Sequence, residues 1–272
     1  MKKLIASKTF TTDDQMLFAK FSGDFNPMHM SPVYARRTIA GECIVHGLHA
    51  MMWSLDNLLS EVNLKPSSIS VNFLKPIFLD EEILCIWDEK LNVLQIQAID
   101  IILCEISLIF ELNIEPFDFD LNTKPRLDFA LEKEFNDFKD LSSESLFFRG
   151  ISSLSIEAFP RISKVYGKNV CCEIASISEI VGMQAPGLHS MLLSLDIKFS
   201  MNQEKPFFLI ENTHEKFNII KLKVNLYSFS AKINTFLRPK PSQGSLLSSL
   251  TKKVNDSEFK NIRALIIGGS RG

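Results

Sequence analysis

The stretch Phe21-Ser-Gly-Asp-Phe-Asn-Pro-Met-His29 sets a carboxylate and an imidazole five residues apart. These side-chain types suit general acid–base work on a water molecule, because both can titrate near neutrality once buried. The spacing is not that of one helical turn. Pro27 disfavours helical geometry at Asn26, so residues 23–30 read as an extended polar loop that can hold Asp24 and His29 around one water. Asn26 would orient that loop or the water by hydrogen bonds. A second constellation follows at Gly41-Glu-Cys-Ile-Val-His-Gly47. Gly47 opens a helical pattern, so its backbone N–H lacks an intrahelical acceptor and sits at the positive end of the helix. A glycine there lets a ligand approach closely. The Gly47 N–H is therefore a candidate donor to a developing oxyanion, with His46 shaping the turn.

The elements that must position these groups are legible around them. Residues 12–22 read as a short helix, capped by Thr11 or Thr12, with Asp13 and Asp14 at its positive end and Met16, Leu17 and Phe21 on an apolar face. Ser31-Pro32 restarts a helix. In residues 48–59 the apolar positions Leu48, Met51, Met52, Leu55, Leu58 and Leu59 follow helical spacing and cover much of the circumference, which predicts a buried helix. Ile69, Val71 and Phe73 alternate with Ser70 and Asn72, and residues 83–87, 93–102 and 103–112 are further strand-like runs. A long buried helix followed by antiparallel strands is an α+β pattern.

The bulk numbers suit that picture. A chain of 272 residues with 46% apolar residues fits two domains of ordinary size. With 30 basic against 32 acidic residues there is no basic surplus for nucleic acid. The five cysteines, an odd number, include the adjacent pair Cys171 and Cys172, and no Cys/His cluster has zinc spacing. They read as free thiols in a reducing, cytoplasmic compartment. No stretch approaches the 18 apolar residues of a membrane span.

An internal repeat organises the chain. Gly47-Leu-His-Ala-Met-Met-Trp-Ser-Leu-Asp56 recurs as Gly187-Leu-His-Ser-Met-Leu-Leu-Ser-Leu-Asp196, with seven of ten positions identical. Lys75-Pro-Ile-Phe-Leu79 is echoed by Lys205-Pro-Phe-Phe-Leu209, and Leu195, Ile197 and Phe199 alternate like Ile69, Val71 and Phe73. Two copies of one helix-plus-sheet unit follow, the second with a shorter helix, joined through the polar residues 113–145. Residues 239–255 read as a linker, rich in Ser, Lys and Pro.

Gly-Asp-x-Asn-Pro-x-His, here Gly23 to His29 with Ala35 six residues on, resembles the signature of the MaoC-like (R)-specific enoyl-CoA hydratases and 3-hydroxyacyl dehydratases, and Ile44-Val-His-Gly47 resembles the start of that family's central helix. The resemblance covers about residues 10–112. It implies a double hotdog: two hotdog units, each a long buried helix wrapped by an antiparallel β-sheet. The units would be residues 1–140, carrying the catalytic motif, and 141–240, a degenerate partner. A linker would occupy 241–260. The last unit, 261–272, with Ile262-Arg-Ala-Leu-Ile-Ile-Gly-Gly-Ser-Arg-Gly272, resembles the truncated opening of a Rossmann-type short-chain dehydrogenase/reductase domain, implying a fused reductase.

The resemblance also implies chemistry: reversible hydration of a trans-2-enoyl thioester to its (R)-3-hydroxyacyl form, on coenzyme A or acyl carrier protein, with no metal or organic cofactor. Asp24 and His29 would share the water as general base and acid, Asn26 would orient them, and Gly47 would supply the oxyanion donor. Phe25, Met28 and His46 are candidates for the substrate pocket. At a shift of 140 residues Asp24, Asn26 and His29 fall on Lys164, Tyr166 and Asn169, so the second half is expected to be catalytically silent and to wall the acyl tunnel. His49 recurs as His189 in that half and therefore reads as structural. A thioesterase and a non-catalytic acyl-binding module are the rival functions. Monomer and homodimer both remain open.

Overall fold

The computed structural model describes residues 2–62, 64–110, 119–139, 143–240, 255, 258–263 and 265. The chain opens with strand β1 (Lys2–Thr9), a strand that the basic N-terminal sequence did not announce. Helix α1 (Thr12–Ser22) follows, with Thr11 and Asp14 forming a reciprocal capping box. Its buried residues are Gln15, Phe18, Ala19, Phe21 and Ser22; of the expected face Phe21 is buried, whereas Met16 is exposed. Gln15 can face inward because its amide finds polar partners there. Two single-turn helices come next, α2 (Pro27–Met30) and α3 (Pro32–Ala35), then the long α4 (Gly47–Glu61). Strands β2 (Ser68–Phe73), β3 (Glu82–Asp88), β4 (Val93–Ala98) and β5 (Ile101–Ile109) complete the first half. The β4–β5 turn falls at Ile99, with φ 54°, earlier than the expected break after residue 102.

The second half repeats the order: β6 (Glu144–Ser145), α5 (Ser155–Ala158), α6 (Pro160–Tyr166), α7 (Lys168–Glu179) with a π-helical turn Ile180–Gln184, then β7 (Ser190–Phe199), β8 (Phe207–His214), β9 (Ile219–Asn225) and β10 (Phe229–Leu237). All ten strands form one antiparallel sheet, ordered β1-β3-β4-β5-β2-β7-β10-β9-β8-β6. Each half thus has the same strand order, and the halves meet where β2 pairs with β7, Ile69 opposite Ile197 and Val71 opposite Leu195. Alternation puts Ile69, Val71, Leu195 and Ile197 on the inner face, where α4 and α7 lie; all four are essentially sealed from solvent. Each such side chain contributes ~1.5–3 kcal/mol of burial free energy. Asp56 on α4 ties the halves again, accepting the Arg161 and Ile162 N–H groups at the start of α6 (2.8 and 2.9 Å).

The repeat is real, but the expected alignment is not. Gly187–Asp196 is mostly strand β7, whereas Gly47–Asp56 is helix α4. The helix equivalent to α4 is α7, because each stands between the first and the second-numbered strand of its half. Gly187 has φ 82° and turns the chain out of the π-helical turn and into the sheet. Once there, β2 on one side and β10 on the other supply every ladder partner. The 140-residue shift, and with it the equation of Asp24, Asn26 and His29 with Lys164, Tyr166 and Asn169, does not hold. The equation of His49 with His189 falls too: His49 stacks on Phe18, while His189 pairs with Glu132. Most of the expected linker and most of the reductase-like segment lie outside the described residues. Among the described residues no helix is long and apolar enough to cross a membrane.

Candidate active site

Helix α1 delivers the chain to Asp24, which is buried between the two halves. Its Oδ1 accepts the Asn26 N–H (3.0 Å) and its Oδ2 accepts the Ser178 hydroxyl (2.7 Å) from α7. Asn26 is extended, as a residue before proline should be, with φ −54° and ψ 127°. The expected extended loop nevertheless closes here into α2. Asn26 caps that turn through Oδ1 to the Met28 N–H (3.0 Å), and Pro27 fits its first position, where no N–H is needed. The Asn26 amide also donates to the Gly182 carbonyl (2.7 Å), across the boundary between halves. The turn aims His29 back at Asp24. The His29 Nδ1 lies 2.7 Å from the Ile44 carbonyl. A carbonyl only accepts, so Nδ1 carries the proton and Nε2 has a free lone pair.

His46 sits behind this pair. Its ring stacks on His29 with centroids 3.9 Å apart. Its Nε2 lies 3.1 Å from the Asp24 carbonyl and its Nδ1 3.1 Å from the Gln15 Oε1. Asp24, His29 and His46 bring ligand-type atoms within 4.8 Å of one another, but both His46 nitrogens already face oxygens, so the group is better suited to protons than to an ion. Burial raises the Asp24 carboxyl above its ordinary value, against the opposing effects of His29 and the Ser178 and Asn26 donors. Burial, reinforced by the neighbouring His46, pushes His29 down to about 3, and burial with His49 does the same to His46. His29 is therefore neutral at pH 7.

A cavity of about 170 Å³ opens against this group. Asp24, His29 and Ser178 line its polar end, Gly47 borders it at the start of α4, and Met28, Leu48, Phe73 and Met191 are among its apolar walls. Gly47 is needed on its other side: a Cβ there would stand 2.9 Å from the Phe73 ring. Two of the expected pocket residues are elsewhere. Phe25 points outward beneath the Arg126 guanidinium, 4.6 Å from it, because Asp24 and Asn26 take the inward positions on either side. His46 does not border the cavity, since His29 and Asp24 stand in front of it. Three residues that sequence reasoning missed complete the site: Ser178 and Gly182 in the second half, and Gln15 on α1. Gln15 alone left a trace, as a polar residue in helical register with Phe18, Ala19 and Ser22.

Residues 2–91 match the family model described as a MaoC like domain. No curated protein matches the chain. Among solved structures, a MaoC-like dehydratase aligns with a TM-score of 0.51 at 8% identity, covering 87% of this chain and 97% of that one. A MaoC domain protein from Chloroflexus aurantiacus J-10-fl aligns with a TM-score of 0.52 at 10% identity, covering 89% and 95%. At such identities the likeness is one of fold, and it establishes the α+β hotdog fold for this chain.

Proposed function

We propose that the chain is a lyase that reversibly hydrates trans-2-enoyl thioesters to (R)-3-hydroxyacyl thioesters, carried on coenzyme A or acyl carrier protein. One observation carries the reading: His29 and Asp24 border one cavity together with Gly47 at the start of α4. Neutral His29 accepts a proton from water as its oxygen bonds to the β-carbon. Asp24, the other member of the pair, delivers a proton to the α-carbon. A proton then passes back from His29 to Asp24, within 4.8 Å, and restores both groups. Dehydration runs the same steps in reverse. The Gly47 N–H, at the positive end of α4, stabilises the enolate oxygen between the two transfers. Met28 and Phe73 would flank the acyl chain, and the β7 side of the second half would wall it.

Incubation with crotonyl-CoA tests the proposal. Loss of enoyl absorbance without release of free thiol is the expected result. Free thiol would mean a thioesterase, and binding without turnover an acyl-binding module. Asp24→Asn and His29→Ala should each lower turnover at least ~100-fold, the usual lower scale for an acid–base group, with thermal unfolding still cooperative. Unchanged turnover in both variants would overturn the assignment.

A further inference from the structure

Gln15 stands outside the motif, yet it meets the His46 ring directly and the His29 ring through the Ile44 carbonyl that both share. It is 1% exposed, among the buried Phe18, Ala19, Phe21 and Ser22 of the same helix. A buried amide is costly unless its hydrogen bonds are made, and here they are made to the site. Its Nε2 donates to the Ile44 carbonyl (2.9 Å) and lies 3.4 Å from the His29 carbonyl. Its Oε1 faces the His46 N–H (3.4 Å) and the His46 Nδ1 (3.1 Å). The amide cannot be reversed, because its oxygen would then face two carbonyls. The Ile44 carbonyl is thus shared: one lone pair takes the Gln15 amide, the other the His29 Nδ1–H.

We propose that Gln15 is a positioning residue that sets the tautomer of His29, by fixing the Ile44 carbonyl that holds the Nδ1 proton and so leaving Nε2 as the base; the catalytic consequence rests on the function proposed above. The same amide braces His46, whose ring backs His29 at 3.9 Å. Without it, the Ile44 carbonyl loses the donor that orients it. The imidazole then populates both tautomers, and the Nε2–H form has no lone pair to offer water.

Gln15→Met, equal in length but without donor or acceptor, tests this in the full chain. Histidine labelled with 15N and long-range proton–nitrogen correlation read the His29 tautomer directly, with His29→Ala to assign the signals. Wild type should show a single Nδ1–H form, and the variant a mixture. Its kcat on crotonyl-CoA should fall roughly 10-fold or more, short of the ~100-fold expected for removing an acid–base group, with KM within about twofold. If Gln15→Met does not fold, Gln15→Asn, whose amide is one methylene short of Ile44, carries the same readouts. A variant that keeps the pure Nδ1–H form overturns the inference, whether kcat stays or falls. Failure of the proposed function would appear instead as wild-type protein that leaves crotonyl-CoA unchanged, while the tautomer readout still stands.

Discussion

Gly182 offers the sharpest test of how the second half serves the site. It lies in the π-helical turn Ile180–Gln184, and a Cβ there would stand 2.5 Å from the Asp24 Oδ1, 2.6 Å from Oδ2 and 2.8 Å from Cγ. Ordinary contact begins at 3.4 Å, so Gly182→Ala demands a separation greater by 3.4 − 2.5 = 0.9 Å. Neither side yields freely. Asp24 is held by Ser178 and Asn26, and the Gly182 carbonyl is held by the Asn26 amide. Displacing a catalytic group by ~1 Å can cost ~100-fold in rate; overpacking of this kind typically costs ~1–3 kcal/mol of stability. The backbone at Gly182 is helical, where alanine is favoured over glycine, so the steric clash is isolated from backbone strain. Gly182→Ala should therefore fold cooperatively, with a modestly lower Tm, and lose about two orders of magnitude in kcat on crotonyl-CoA. An alanine variant with wild-type kcat would refute the premise that the Asp24 carboxyl must stay where it is.

Two further outcomes follow from burial. The Glu179 carboxyl, next to Ser178, is pushed up to about 8 by burial, from 4.5, against the opposing effects of Gln184 and Arg149. The folded chain therefore keeps a proton that the unfolded chain has already released, and stability falls as pH rises from about 4.5 to about 8; Glu179→Gln should shrink the fall in Tm across that window, and an unchanged fall would count against it. Burial also holds the thiols of Cys85, Cys104, Cys171 and Cys172 well above their ordinary value, Cys85 and Cys172 at about 12, whereas Cys43 is part-exposed. Brief alkylation of native protein followed by peptide mass analysis should mark Cys43 alone, and early labelling of the Cys171–Cys172 pair would contradict the packing of α7.

How much was legible depended on the range of the interaction. Asp24, Asn26 and His29 stand in one short segment, and a fixed spacing around Pro27 is a pattern that a linear reading can catch. Helices α1 and α4 and strands β2 and β3 were equally visible, because caps and apolar periodicity are local. Ser178 and Gly182 were not: they approach Asp24 across more than 150 residues, and a lone Ser or Gly carries no spacing signal. The second half was misaligned for a related reason. Leu192, Leu193, Leu195 and Ile197 suit a helix or a strand, and only the open slot beside β2 decides between them. Phe25 and His46 were placed in the pocket by nearness to Asp24 and Gly47 in sequence; Phe25 instead points away because its neighbours take the inward positions, and His46 lies behind His29 and Asp24.

The β2–β7 seam has one more consequence. In a pair of identical subunits every amino-acid change is made twice, once where it helps and once where it must merely be tolerated. Here the two copies are one polypeptide, so each position answers to a single environment. A glycine can be kept at 182 solely to give Asp24 room, and α4 is free to carry a different residue at the matching height. The reacting side and its backing can be tuned separately, provided that Ser178 and Gly182, which hold Asp24 in place, are kept: a swap of the rest of the second half would retune the pocket around the proposed acid–base pair.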